Sequence, residues 1–209
     1  MELEAVTIDA YGTLVALRDP VPALRAALAS RGVERSSGDV QCAFEAEVAF
    51  YVLRSHEGRD AASLALLRRD CAGVFLEALE AELDPEDFAA AFVSSLRFAE
   101  LPNARDACVE LAAAGLRLAV VSNWDIGLRD HLGVLGLDAV VDIVVTSAEA
   151  GAPKPAPAVF ELALARLGVD DAARAVHIGD AAADEEGAEA AGLHFEPAPL
   201  AEAVRRILA

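Results

Sequence analysis

From residue 116 to about 195 the chain alternates short apolar β-branched runs with helical patterns, most of them closed by glycine, and few folds accept that rhythm. The run Leu116–Ser122 (LRLAVVS) is almost continuously apolar, as in a strand covered on both faces of a parallel sheet. A helix is predicted over 126–135, a strand over 142–146, a helix over 158–167 ahead of Gly168, and a strand over 175–179. A helix over 184–191 ahead of Gly192 and a short strand near His194 complete the series. Alternation of this kind implies βαβ units in a doubly wound parallel sheet.

The first strand of that sheet stands apart from the others in sequence. It is predicted over 5–9, and residues 15 to 98 then read as helices with no strand pattern between them. Asp19-Pro20 opens the first, and the others fall over 40–55, 62–83 and 86–98. The expected organisation is an α/β core of residues 1–14 and 100–209, with a small all-helical cap domain, 15–99, inserted after the first strand and joined by turns.

The chain has 209 residues, of which 55% are hydrophobic, ample for a core of that size. A formal charge of −18 argues against nucleic acid and anionic membranes as partners, since both select basic surfaces. No run of about 18 uncharged apolar residues and no basic-then-apolar start appears, so neither a membrane span nor a signal peptide is predicted, and a cytoplasmic protein is expected. Cys42, Cys71 and Cys108 lie far apart in helical patterns and read as buried thiols.

Four polar positions fall at the carboxyl ends of predicted strands, where open α/β sheets bind ligands. They are Asp9; Ser122 with Asn123; Lys154, between two prolines; and Asp180 followed by Asp184. Lys154 is the only lysine in the chain, all other cationic side chains except histidine being arginine. A compact ammonium there suits a place between carboxylates and an anion. Three convergent aspartates are costly without a cation, and their hard oxygens suit Mg²⁺. Ser122 and the amides beside it form a small anion-binding set.

Taken in order, Asp9-Ala10-Tyr11-Gly12-Thr13-Leu14, Val120-Val121-Ser122-Asn123, Lys154-Pro155 and Gly179-Asp180-Ala181-Ala182-Ala183-Asp184 resemble the four motifs of the haloacid dehalogenase superfamily of hydrolases. A helical insertion directly after the first motif resembles the members with a helical cap on a Rossmann-like core. The resemblance implies that Asp9 is the nucleophile, forming an aspartyl intermediate, and that Thr13 orients it. It implies that Ser122, Asn123, Lys154 and the backbone at Ala10 and Tyr11 hold a small anionic substrate. Mg²⁺ would rest on Asp9, the Tyr11 carbonyl and Asp180, with Asp184 supporting the metal or Lys154.

Tyr11 departs from the phosphatase pattern, which places a second, acid–base aspartate there. Tyrosine is instead found there in the 2-haloacid dehalogenases, whose halide leaving group needs no proton. Against a dehalogenase stand Asp180 in the fourth motif, Phe160 where those enzymes carry a tyrosine, and the absence of a matching context for Arg35 or Arg54 as the cap arginine. The expected activity is therefore a Mg²⁺-dependent phosphatase, with a metal-independent dehalogenase and a catalytically weak ligand- or partner-binding protein as alternatives. A monomer or homodimer is expected.

Among the other candidates, His177 reads as a strand histidine of the core, and His56, His131 and His194 show no metal-ligand spacing. Trp124, beside Asp125, is either a packed indole or a side chain closing the crevice. Phe50, Tyr51 and Arg54 are helical positions compatible with substrate contact or with packing.

Overall fold

The computed structural model describes residues 3–209. In chain order the elements are β1 (Ala5–Ile8), β2 (Val15–Leu17), α1 (Val21–Ala29), α2 (Ser37–Arg54), α3 (Ala61–Ala78), α4 (Pro85–Ser95), β3 (Phe98–Glu100), α5 (Ala104–Ala113), β4 (Arg117–Ser122), α6 (Leu128–Leu135), β5 (Ile143–Thr146), α7 (Ser147–Ala150), α8 (Ala158–Leu167), β6 (Ala175–Gly179), α9 (Ala182–Ala190), β7 (His194–Pro197) and α10 (Leu200–Ile207).

Five of the strands form one parallel sheet in the order β5-β4-β1-β6-β7. The protein is thus an α/β fold with a doubly wound parallel sheet. β1, β4 and β6 are buried along nearly their whole length, which explains why their sequences are apolar runs instead of alternating patterns. The chain winds from β4 outward to β5 and then resumes on the other side of β1 at β6. The reversal leaves a crevice at the carboxyl end of β1, flanked by β4 and β6.

Contacts divide the chain into two units, residues 1–16 with 99–209, and residues 17–98. The second is all-helical. Its core is built around Phe75, Phe88 and Phe92, with Leu24, Leu28, Val40, Phe44 and Leu76 packed about them. Asp60 and Ser63 exchange hydrogen bonds at the start of α3, as do Ser36 and Asp39 at the start of α2, so two of its helices begin where local side chains satisfy the first amides. Arg35 donates to the carbonyls of Leu79 and Glu80 just beyond α3, and its guanidinium is thereby committed to closing that helix.

Several boundaries differ from the sequence reading. The connectors near 15–17 and 98–100 are short strands that pair with each other, so the helix expected to run to residue 98 stops at Ser95. Helix α9 starts two residues early, at Ala182. Helix α10 was not read from the sequence. Its Leu200, Ala203 and Val204 are buried, and Arg206 returns to Glu196 and the Pro197 carbonyl of β7. Cys71 and Cys108 are buried as expected, and burial pushes the Cys108 thiol up to about 12. Cys42 is exposed, because it lies on the face of α2 opposite Val40, Ala43 and Phe44. Among the described residues, no helix is long and apolar enough to cross a membrane.

Candidate active site

Asp9 follows β1 directly, its amide bonded to the Ile178 carbonyl of β6, so the sheet ladder continues up to the carboxylate. The chain then turns. The Ala10 carbonyl accepts from the amides of Leu14 and Val15, and Gly12, at φ 87°, returns its own amide to the Val15 carbonyl. A side chain at Gly12 would collide with the Asp180 carboxylate, so only glycine lets the turn and the end of β6 approach so closely.

Lys154 reaches the same point from the loop after α7. Its Nζ donates to Asp9 Oδ1 at 2.6 Å, to Asp184 Oδ1 at 2.5 Å and to the Val121 carbonyl at 3.1 Å. Three donor positions therefore have three acceptors, and the ammonium is 4% exposed. The peptide of Lys154 is clamped as well. Its amide donates to Asn123 Oδ1 at 2.6 Å, and Asn123 Nδ2 donates to its carbonyl at 3.1 Å. The Asn123 side chain, expected to touch substrate, is thus engaged in placing the lysine.

Ser122 ends β4, and its hydroxyl donates to Asp9 Oδ1 at 3.1 Å. Both hydrogen bonds that hold Asp9 fall on one oxygen, and no side chain among the described residues donates to Oδ2. Thr13 does not orient Asp9 as expected. Its hydroxyl is buried with no hydrogen-bond partner, and Ser122 and Lys154 do that work.

Asp184 occupies the third position of α9. Oδ2 accepts from the Ala181 amide at 3.0 Å, while Oδ1 takes Lys154 and, at 3.0 Å, His177 Nε2. Although burial opposes its charge, His177 and Lys154 hold this carboxyl well below the usual range. The opposite holds for its neighbours. Burial lifts the Asp9 carboxyl, against the pull of Lys154 and with help from the Asp184 charge, and burial together with Asp184 lifts Asp180. Oxygens of Asp9, Asp180 and Asp184 lie within 4.8 Å of one another, and the lone ammonium cannot balance three carboxylates.

That donor set fits a hard divalent cation: clustered carboxylate oxygens, an excess of negative charge, and an exposed edge at Asp180. Asp9 and Asp180 are the side chains best able to serve, because Asp184 has three of its four acceptor positions filled.

His177 is the strand histidine of the core that the sequence predicts, and its contact with the site is what the sequence does not supply. It lies fully buried in β6 and contacts Asp184 directly, while Phe160 packs edge-on against its ring with centroids 4.8 Å apart. The signal was present, since an imidazole interrupts a strand that is otherwise apolar. Trp124 does not close the crevice. It is a packed, buried indole whose backbone bonds to Ser147, and Asp125 caps its own turn at Gly127. In the helical unit Tyr51 packs against the core, and Arg54 stacks over Phe50 at 4.8 Å and pairs with Glu57. Tyr11 is half exposed.

The family model of haloacid dehalogenase-like hydrolases matches residues 3–192. Human haloacid dehalogenase-like hydrolase domain-containing protein 3 is 45% identical over 95 residues, which are 45% of this chain and 38% of that protein. The ribulose-1,5-bisphosphate 5-phosphatase of Halopiger xanaduensis is 39% identical over 108 residues, 49% of this chain and 45% of that protein. Each match spans less than half of the relative's length. Among solved structures, the L-2-haloacid dehalogenase of Xanthobacter autotrophicus superposes with a TM-score of 0.67 at 27% identity, over 92% of this chain and 76% of that one.

Proposed function

We propose that this chain, which belongs to the haloacid dehalogenase-like hydrolases, is a Mg²⁺-dependent phosphatase that acts on a small phosphorylated metabolite through an aspartyl-phosphate at Asp9. The observation that carries this reading is the charge imbalance at the crevice, where Asp9, Asp180 and Asp184 share one ammonium and the carboxyls of Asp9 and Asp180 are both lifted. A metal-independent dehalogenase has no use for that excess of carboxylate. The phosphatase among the relatives agrees with the reading.

In this mechanism Asp9 Oδ2 attacks the phosphorus, and the bond from phosphorus to the ester oxygen breaks. Lys154 and Ser122 fix Asp9 through Oδ1, which aims the other oxygen outward. Their positive charge and hydroxyl dipole also favour the charge that builds on the phosphoryl oxygens. Water then hydrolyses the acyl phosphate and regenerates the carboxylate. Bound at Asp9, Asp180 and the Tyr11 carbonyl, Mg²⁺ would neutralise phosphoryl charge and help to position the group. The inserted unit is proposed as the cap that selects the substrate.

Tyr11 shapes the specificity. A phenol is a weaker proton donor to an alkoxide than a carboxylic acid, so the enzyme should favour leaving groups that depart without one. Tyr11 and the dehalogenase among the solved structures favour a second reading, halide displacement from a 2-haloacid by Asp9. Hydrolysis of p-nitrophenyl phosphate that requires Mg²⁺ and is abolished by Asp9→Asn is the expected result. Release of halide from 2-chloropropionate in EDTA, without phosphatase activity, would establish the second reading. Tyr11→Asp should raise turnover of alkyl phosphates by on the order of 10²-fold, the usual contribution of a positioned acid.

A further inference from the structure

The mechanism leaves two polar side chains of the central strands without a role. Thr7 and His177 are both fully buried and stand opposite one another in the register of β1 and β6. Each is the sole polar side chain in its strand, AVTI and AVHIG. A buried imidazole is tolerated only where both nitrogens are satisfied, and here both are. Nδ1 lies 2.9 Å from Thr7 Oγ1 and 3.1 Å from the Thr7 carbonyl, and Nε2 lies 3.0 Å from Asp184 Oδ1.

The tautomer follows from the partners. An ionised carboxylate only accepts, so Nε2 carries a proton. On the other side of the ring, Thr7 engages Nδ1 through its hydroxyl, which can donate or accept, and through its carbonyl, which only accepts.

We infer that Thr7 and His177 are a positioning pair for this site: Thr7 fixes the imidazole ring at Nδ1, and Nε2–H holds the Asp184 carboxylate in the orientation that grips Lys154. Without Nε2–H the Asp184 carboxylate would keep only Lys154 and the Ala181 amide, and it would be free to turn about that axis. Lys154 would follow, because Asp184 is one of its three acceptors. The kinetic part of this inference rests on the phosphatase reading, and the tautomer does not.

The test begins with ¹⁵N-histidine-labelled protein in EDTA at pH 7.5. The expected His177 signal is a protonated Nε2, with Thr7→Val shifting the Nδ1 resonance. An Nε2 without a proton would overturn the inference. In kinetics, His177→Leu should lower kcat on p-nitrophenyl phosphate by about 10–100-fold with little change in KM. His177→Gln, which retains an amide N–H directed at Asp184, should recover most of that loss. A folded His177→Leu as active as the parent, or a Gln variant no better than Leu, would count against the pair. If His177→Leu does not fold, the tautomer and its response to Thr7→Val decide. If the parent protein hydrolyses no phosphate ester, the phosphatase reading fails separately, and the same ¹⁵N signals still settle the positioning role.

Discussion

Replacing Lys154 with methionine removes the ammonium and keeps most of the side-chain volume, leaving Asp9 and Asp184 buried without their shared cation. An exposed ion pair would cost about 0–1 kcal/mol to break. Here the lysine, Asp9 and Asp184 side chains are 4%, 7% and 2% exposed, so water cannot replace the lost partner. Breaking a buried pair of this kind costs about 3–5 kcal/mol, a large part of a total stability of roughly 5–15 kcal/mol. The loss should depend on pH. Lys154 helps to hold the Asp184 carboxyl below its ordinary range, and a depressed carboxyl gives stability that is present above the unfolded pKa and lost as pH falls through the folded one. In the variant Asp9 and Asp184 lose that pull, burial lifts both carboxyls, and they take up protons as pH falls, so the deficit is largest at neutral pH and shrinks in acid. Trp124 is the only tryptophan in the chain and is buried in the α/β unit, so its fluorescence in urea reports that unit directly. In EDTA, Lys154→Met should lose about 3–5 kcal/mol at pH 7.5, and adding Asp184→Asn should return at least 1 kcal/mol of it through coupling. A loss below about 1 kcal/mol, or the same loss at pH 4 as at pH 7.5, would refute the view that this ammonium holds the site together.

The remaining predictions concern groups outside the ion pair. Glu47 occupies a core position of α2, and burial pushes its carboxyl from 4.5 to about 7 despite a hydrogen bond from Cys71. Its stability contribution is fully present below the unfolded pKa and lost as pH rises to about 7, at a cost on the order of 3 kcal/mol once ionised. Glu47→Gln should accordingly stabilise the protein at pH 8 and not at pH 4, as read from paired thermal melts; equal effects at both would contradict the assignment. Gly12→Ala and Gly115→Ala both place a side chain at positive φ, 87° and 85°, and each should lose about 1 kcal/mol. Only the first collides with Asp180, so only Gly12→Ala should weaken Mg²⁺ binding in calorimetry. Gly187→Ala would set a Cβ 2.6 Å from the Phe160 ring and 3.3 Å from Pro155 Cα, and should lower stability by about 1–3 kcal/mol in urea titrations.

The sequence by itself determined the architecture and the main chemical groups of this protein. Strands buried on both faces must be apolar, so β1, β4, β5 and β6 announced themselves, and glycines marked where several helices end. A ligand crevice forms where such strands end, so Asp9, Ser122, Asp180 and the single lysine could be collected before any coordinate was known. What escaped were features whose cause lies in a distant segment. Strands β2 and β3 are three residues long and exist because they pair with each other across more than 80 residues of chain. The role of Asn123 depends on the Lys154 peptide, which arrives from another loop.

Only the tertiary structure decided how the carboxylates divide their tasks. The spacing of Asp180 and Asp184 allowed both to be metal ligands, but His177, Lys154 and the Ala181 amide occupy most of Asp184 and leave Asp180 exposed at the crevice. It likewise removed Thr13 from the task of orienting Asp9 and gave His177 a partner that a one-dimensional pattern could not supply, because hydrogen bonds follow proximity in space. The sequence lists which donors and acceptors exist; the register of β1 against β6 and the loop carrying Lys154 fix which of them meet.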